Sequence, residues 1–149
     1  MAEVWFYHLE RSPLERVLPD LLEKTLAKGW KALVRTVSQD RAESLDQMLW
    51  TYRDESFLPH GVAGEPLADK QPVLIATGEE NPNGAQALFL LDGAEPGSLA
   101  AYERCIILFD GRDQAQLSLA RGRWKSLKAD GASVSYWKEK EERGWEKQG

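Results

Sequence analysis

Val4-Trp5-Phe6-Tyr7-His8-Leu9-Glu10-Arg11-Ser12-Pro13-Leu14-Glu15 sets a strand directly against the start of a helix. Its first six residues are aromatic or aliphatic with little alternation, the make-up of a short strand buried on both faces. Ser12 then stands at a helix cap, Pro13 at the first helical position, and Glu15 three residues past the cap. Leu14, Val17, Leu18, Leu21, Leu22 and Leu26 follow at helical spacing, and Gly29 closes the run. Pro19 inside that face predicts a kink or a division of the helix. Residues 31–37 read as a second strand. Strand, helix, strand is the unit of a parallel sheet, because parallel neighbours need a crossover between them.

The alternation continues to the end of the chain. A helix runs from about Asp40, with Glu43 in capping-box position, to Trp50. Strands are predicted over 72–77, 87–91 and 104–109, with a short helix around 97–102. A long helix spans about 113–129, ending near Gly131, and residues 133–137 form a further strand. Such a pattern predicts a single-domain three-layer α/β/α sandwich with a largely parallel central sheet, Rossmann-like but without a nucleotide-binding loop. At 149 residues the chain holds one domain with a real core and is too short for two. The domain is expected over 1–137. Residues 138–149 form a charged tail around Trp145, with room for a short strand.

Composition narrows the function classes. The 42% hydrophobic and 29% charged residues are those of a soluble globular protein. A net charge of −5 argues against an overall electrostatic grip on DNA or on an anionic membrane, though a local basic patch is compatible with it. A single cysteine, Cys105, excludes an internal disulfide and a cysteine-rich zinc site, and its apolar surroundings predict a buried, inert thiol. No apolar run approaches the ~18 residues of a membrane span. The N-terminus carries no basic region or cleavage signal, so the expected location is cytoplasmic.

Nucleotide chemistry lacks its apparatus. The turns Glu10-Arg11-Ser12-Pro13 and Ser38-Gln39-Asp40-Arg41 contain no glycine to bring backbone amides against a phosphate, and no P-loop pattern occurs. Asp92-Gly93 and Asp110-Gly111 read as turns rather than metal sites. His8 and His60 are too few for a histidine-rich centre, and His8 fits a satisfied core or edge residue. No cofactor and no metal are expected.

Two stretches stand out from this background. In 49–65 a helix end breaks into a loop that keeps presenting large apolar groups, Trp50, Phe57 and Leu58, punctuated by Pro59, Gly61 and Gly64. Either the rings fold back onto the core, or they form an apolar patch where another protein docks. Glu55, Ser56, His60 and Glu65 also raise the alternative of a hydrolase-like α/β enzyme. No Gly-x-Ser-x-Gly elbow surrounds Ser56, however, and His60 is expected to fix the loop by hydrogen bonding. The second stretch is 119–128. On a helix Arg121, Trp124, Lys125 and Lys128 share one face, and none of them is expected in the core. A solvated surface and a receptor for an apolar group bearing carboxylates both fit that face.

Leu49-Trp50, Glu55-Ser56-Phe57-Leu58-Pro59-His60 and Ala63-Gly64-Glu65 together resemble the central signature of the chi subunit of bacterial DNA polymerase III. The element order is similar to that family from the first strand to about residue 137. The resemblance implies the same fold and no intrinsic activity, any polymerase label belonging to the holoenzyme. In that family an Arg-x-x-Tyr/Trp-Lys pattern on the C-terminal helix receives the acidic C-terminal tail of single-stranded-DNA-binding protein (SSB). Arg121, Trp124 and Lys125 match it. Lys128 joins by spacing alone, and Leu117 departs from the pattern where a basic residue is expected. Trp50 and Phe57, flanked by Leu58, Pro59 and His60, match the positions implied to bind the psi subunit of the clamp-loader complex or a substitute. DNA would then be contacted only indirectly, and no membrane would be involved. A helicase-associated adaptor using the same aromatic patch is a further alternative.

Overall fold

The computed structural model describes residues 3–10, 14–51, 60–63, 70–78, 80–139 and 145–147. In chain order the elements are β1 (Glu3–Leu9), α1 (Leu14–Ala27), β2 (Ala32–Arg35), α2 (Gln39–Thr51), β3 (His60–Val62) and β4 (Val73–Ala76). They continue as β5 (Ala87–Leu90), β6 (Arg104–Asp110), α3 (Gln114–Ala129), β7 (Val134–Glu139) and β8 (Trp145–Lys147). One sheet contains all the described strands, in the order β3-β4-β2-β5-β6-β1-β7-β8. All pairings are parallel except the last, where β8 runs antiparallel to β7.

The sheet is covered on both faces, and strand alternation decides which side chain goes where. Tyr7 and Leu9 of β1 join Val34, Ile75, Phe89 and Leu108 under the apolar faces of α1 and α2, supplied by Leu18, Leu22, Leu45 and Leu49. Val4 and Phe6 point the other way, with Leu33, Leu88, Cys105 and Ile107, toward α3. Three layers result, as the alternation of elements predicts. Cys105 is fully buried, and burial pushes its thiol up to about 12.

Several expectations change. Pro19 does not divide its helix: α1 is continuous, because a proline near the start removes one backbone bond while Leu18 and Leu22 remain fully buried. The cap residues Ser12 and Pro13 lie outside the described residues. The second helix starts at Gln39, with the hydroxyl of Ser38 accepting from the Arg41 amide at 3.1 Å, so Ser38 takes the cap role expected of Asp40. No helix forms over 97–102. Gly97 adopts a φ of 58°, outside helical space, and the carbonyls of Glu95 and Pro96 accept from the Arg35 guanidinium at 3.0 and 2.9 Å instead of from a helical turn. Finally, residues 60–62 form an edge strand where a loop is expected. Pro59 precedes that strand, and Gly61 lets it pack against Gln71, whose Cγ would lie 2.8 Å from any Cβ there.

Candidate partner-binding site

α3 is built to show one side to solvent. Asp113 caps it, its carboxylate accepting from the amides of Ala115 and Gln116, and Gly131 ends it at a φ of 85°. Its inner side is clamped: Arg123 donates to the carbonyls of Ala94 at 2.6 Å and Gly93 at 3.0 Å, while Ala120 is buried against the sheet. That anchoring turns the opposite stripe outward. Arg121, Lys125 and Lys128 are exposed, and Trp124 is half-buried beside them. The Trp124 ring meets Phe6 edge-on at 5.5 Å and Tyr136 of β7 at 5.7 Å, while Lys128 Nζ sits 5.6 Å from its centroid. The four residues therefore share one face, as their spacing predicts. One detail is corrected: Trp124 is not free of the core, since it forms part of the apolar layer under α3.

The aromatic stretch is only partly visible. Trp50 lies in the last turn of α2, with its side chain outside what is described, and Phe57, Leu58 and Pro59 lie outside the described residues. So do Glu55, Ser56 and Glu65. His60 is described: its imidazole is buried, with Nε2 3.1 Å from both the carbonyl oxygen and a carboxylate oxygen of Asp46 on α2. It ties β3 to α2 from inside, the fixing role expected of it. The ring itself therefore does not lie on the surface.

At the carboxyl ends of β1 and β6 the strand order reverses, the place where α/β sheets hold ligands. A cleft of about 220 Å³ lies there, lined by Leu9, Leu14, Arg41, Asp92, Asp110, Arg112 and Gln116 among others. Its charges are already matched within the chain. Asp92 accepts from Arg41 at 2.9 Å and from Thr36 at 2.7 Å, and Asp110 pairs with Arg112 at 2.9 Å. Asp92 sits in a turn at a φ of 56° with Gly93 next at 81°, as its sequence context predicts, whereas Asp110 is the last paired residue of β6 and the turn begins only at Gly111. No cluster of three or more potential metal ligands occurs among the described residues.

Residues 1–135 match the family described as "DNA polymerase III chi subunit, HolC". The chain belongs to the DNA polymerase III chi subunit family. Its curated chi relatives are distant. It is 24% identical to the DNA polymerase III subunit chi of Escherichia coli strain K12, over 91% of this chain and 97% of that protein. It is 28% identical to the Haemophilus influenzae subunit chi, over 82% and 85% of the two chains. A Rickettsia prowazekii protein named "Probable DNA polymerase III subunit chi" is also 28% identical, over 73% of this chain but 66% of its own length. Among solved structures, the C-terminal domain of the DEAD-box protein Dbp5 aligns over 91% of this chain and 90% of its own with a TM-score of 0.54. Identity there is 14%, so that likeness concerns the fold alone. Chi membership makes this chain an accessory subunit associated with DNA polymerase III in replication. No helix among the described residues is long and apolar enough to cross a membrane.

Proposed function

We propose that this chain is a non-catalytic chi subunit that joins the clamp-loader assembly to the C-terminal tail of SSB. The observation that carries the reading is the outer face of α3: Arg121, Lys125 and Lys128 stand exposed around a half-buried Trp124 in a chain of net charge −5. An acidic peptide ending in an apolar residue has the complementary chemistry. Its carboxylates pair with the cations, Arg121 offering a planar fork of donors. Its apolar end lies on the open part of the Trp124 ring, which Phe6 and Tyr136 hold in place. The loop from Trp50 to His60 receives psi, or a protein that substitutes for it, and DNA is reached only through SSB.

Binding of a labelled SSB-tail peptide, with and without its terminal carboxylate, tests this. Arg121→Ala should weaken binding by about 1.5–3 kcal/mol, the range of a charged hydrogen bond. Amidating the terminus should weaken it too, and salt should remove part of the affinity as the Debye length falls to about 8 Å and below. Unchanged affinity in Arg121→Ala, with circular dichroism intact, would remove α3 from the mechanism.

A further inference from the structure

The face around Trp124 continues from α3 onto β7, whose Tyr136 packs against the Trp124 ring. β7 pairs with β1 so that Tyr136 lies opposite Phe6 and Lys138 opposite His8. Tyr136 thereby extends the apolar floor begun by Trp124, and its hydroxyl is bonded to His8 Nδ1 at 2.5 Å. Arg121 of α3 and Lys138 of β7 both lie near enough to His8 to disfavour its protonation, and Arg121 also acts on the Tyr136 hydroxyl. Two cations from different elements thus act on one polar spot, the His8–Tyr136 hydrogen bond. That spot already has an acidic neighbour from within the chain. Glu10, just past the end of β1, places Oε1 3.3 Å from Lys138 Nζ and 3.4 Å from His8 Nε2.

We propose that Glu10 is a built-in stand-in for the ligand: in the free protein it holds Lys138, and an acidic C-terminal peptide displaces it to lie between Lys138 and Arg121. The inference rests on the peptide-binding reading of α3 and extends it from a helix face to a face shared by α3 and β7. The exchange is feasible because the pair is shallow. The side chains of Lys138 and Glu10 are 44% and 35% exposed, and such pairs hold together weakly. Arg121 is exposed on α3 and makes no ion pair with any described residue. Glu139 stands nearby and accepts from the Glu10 amide at 3.2 Å.

The consequence is a gain of affinity on deleting a native charge. The probe is a fluorescent hexapeptide of four acidic residues followed by two apolar ones, with a free carboxyl end. Glu10→Gln should tighten its binding about two- to fivefold, and Lys138→Met should weaken it by a similar factor. In the Lys138→Met background Glu10→Gln should lose most of its effect, because the displaced pair no longer exists. Equal tightening by Glu10→Gln in both backgrounds would make Glu10 a distant charge and overturn the proposal. No effect of Glu10→Gln or Lys138→Met, while Arg121→Ala still weakens binding, would overturn the role of β7 and leave the α3 reading standing. Failure of Arg121→Ala itself would take both away. Far-ultraviolet circular dichroism of each variant verifies that the fold is kept.

Discussion

His8 is buried in the sheet between Phe109 and Tyr136, with ring centroids 5.0 and 5.8 Å away. Burial is the largest influence on it and lowers its basicity, Lys138 and Arg121 add to that, and the carboxylates of Glu10 and Asp110 oppose without prevailing. The unfolded chain therefore binds a proton at higher pH than the folded one. His8 favours folding fully above the ordinary imidazole value of about 6.5, and that stability is lost as pH falls through the depressed native value. Urea midpoints should accordingly drop more steeply between about pH 7 and 5 for the natural chain than for His8→Gln. Parallel curves would show that the imidazole charges as easily in the native state as outside it. The same residue explains Gly111, because a Cβ there would collide with His8 Nε2.

The connection from β5 to β6 depends on a charge placed where none is expected. Arg35 ends β2 at 2% exposure, and its guanidinium donates to the carbonyls of Gly78 at 2.8 Å, Glu95 at 3.0 Å and Pro96 at 2.9 Å. Arg35→Leu would fill similar space but leave three carbonyls without a donor, costing about 3 kcal/mol in urea unfolding. Hydrogen exchange over residues 94–103 should rise first. A loss under about 0.5 kcal/mol, the scale of a neutral surface change, would mean water replaces the guanidinium. Sequence reading fails at this residue for a physical reason. Arg35 looks like the polar end of a strand, and nothing in local spacing says that it reaches carbonyls more than forty positions away. Residues 97–102 fail with it, since their conformation answers to Arg35. By contrast β1, α1 and α3 were legible because periodicity and caps are local, and the shared face of Arg121, Trp124, Lys125 and Lys128 followed from that helix alone. The packing of Trp124 on Tyr136 was not legible, because it depends on where β7 joins the sheet.

At the scale of the whole molecule, residues 145–147 of the C-terminal stretch pair with the sheet, where the sequence leaves room for a short strand. β7 continues to Glu139, and β8 returns beside it with the Trp145 ring 4.8 Å from Tyr7. Deleting residues 145–149 removes that ring from the apolar layer and should cost about 2–3 kcal/mol, the worth of burying one large side chain, while unfolding stays cooperative. Equal melting temperatures for the full and shortened chains would return 145–149 to the status of a tail. The order of the strands also bears on how the molecule is made. β1 is synthesised before every other described strand, yet its neighbours in the sheet are β6, beginning at Arg104, and β7, beginning at Val134. Through most of synthesis its aromatic residues have nothing to pair with, and contacts this distant in sequence close slowly. β1 is thus the strand that waits longest for its neighbours and is most exposed to chaperones, and a polypeptide interrupted before residue 104 has lost both partners of that strand.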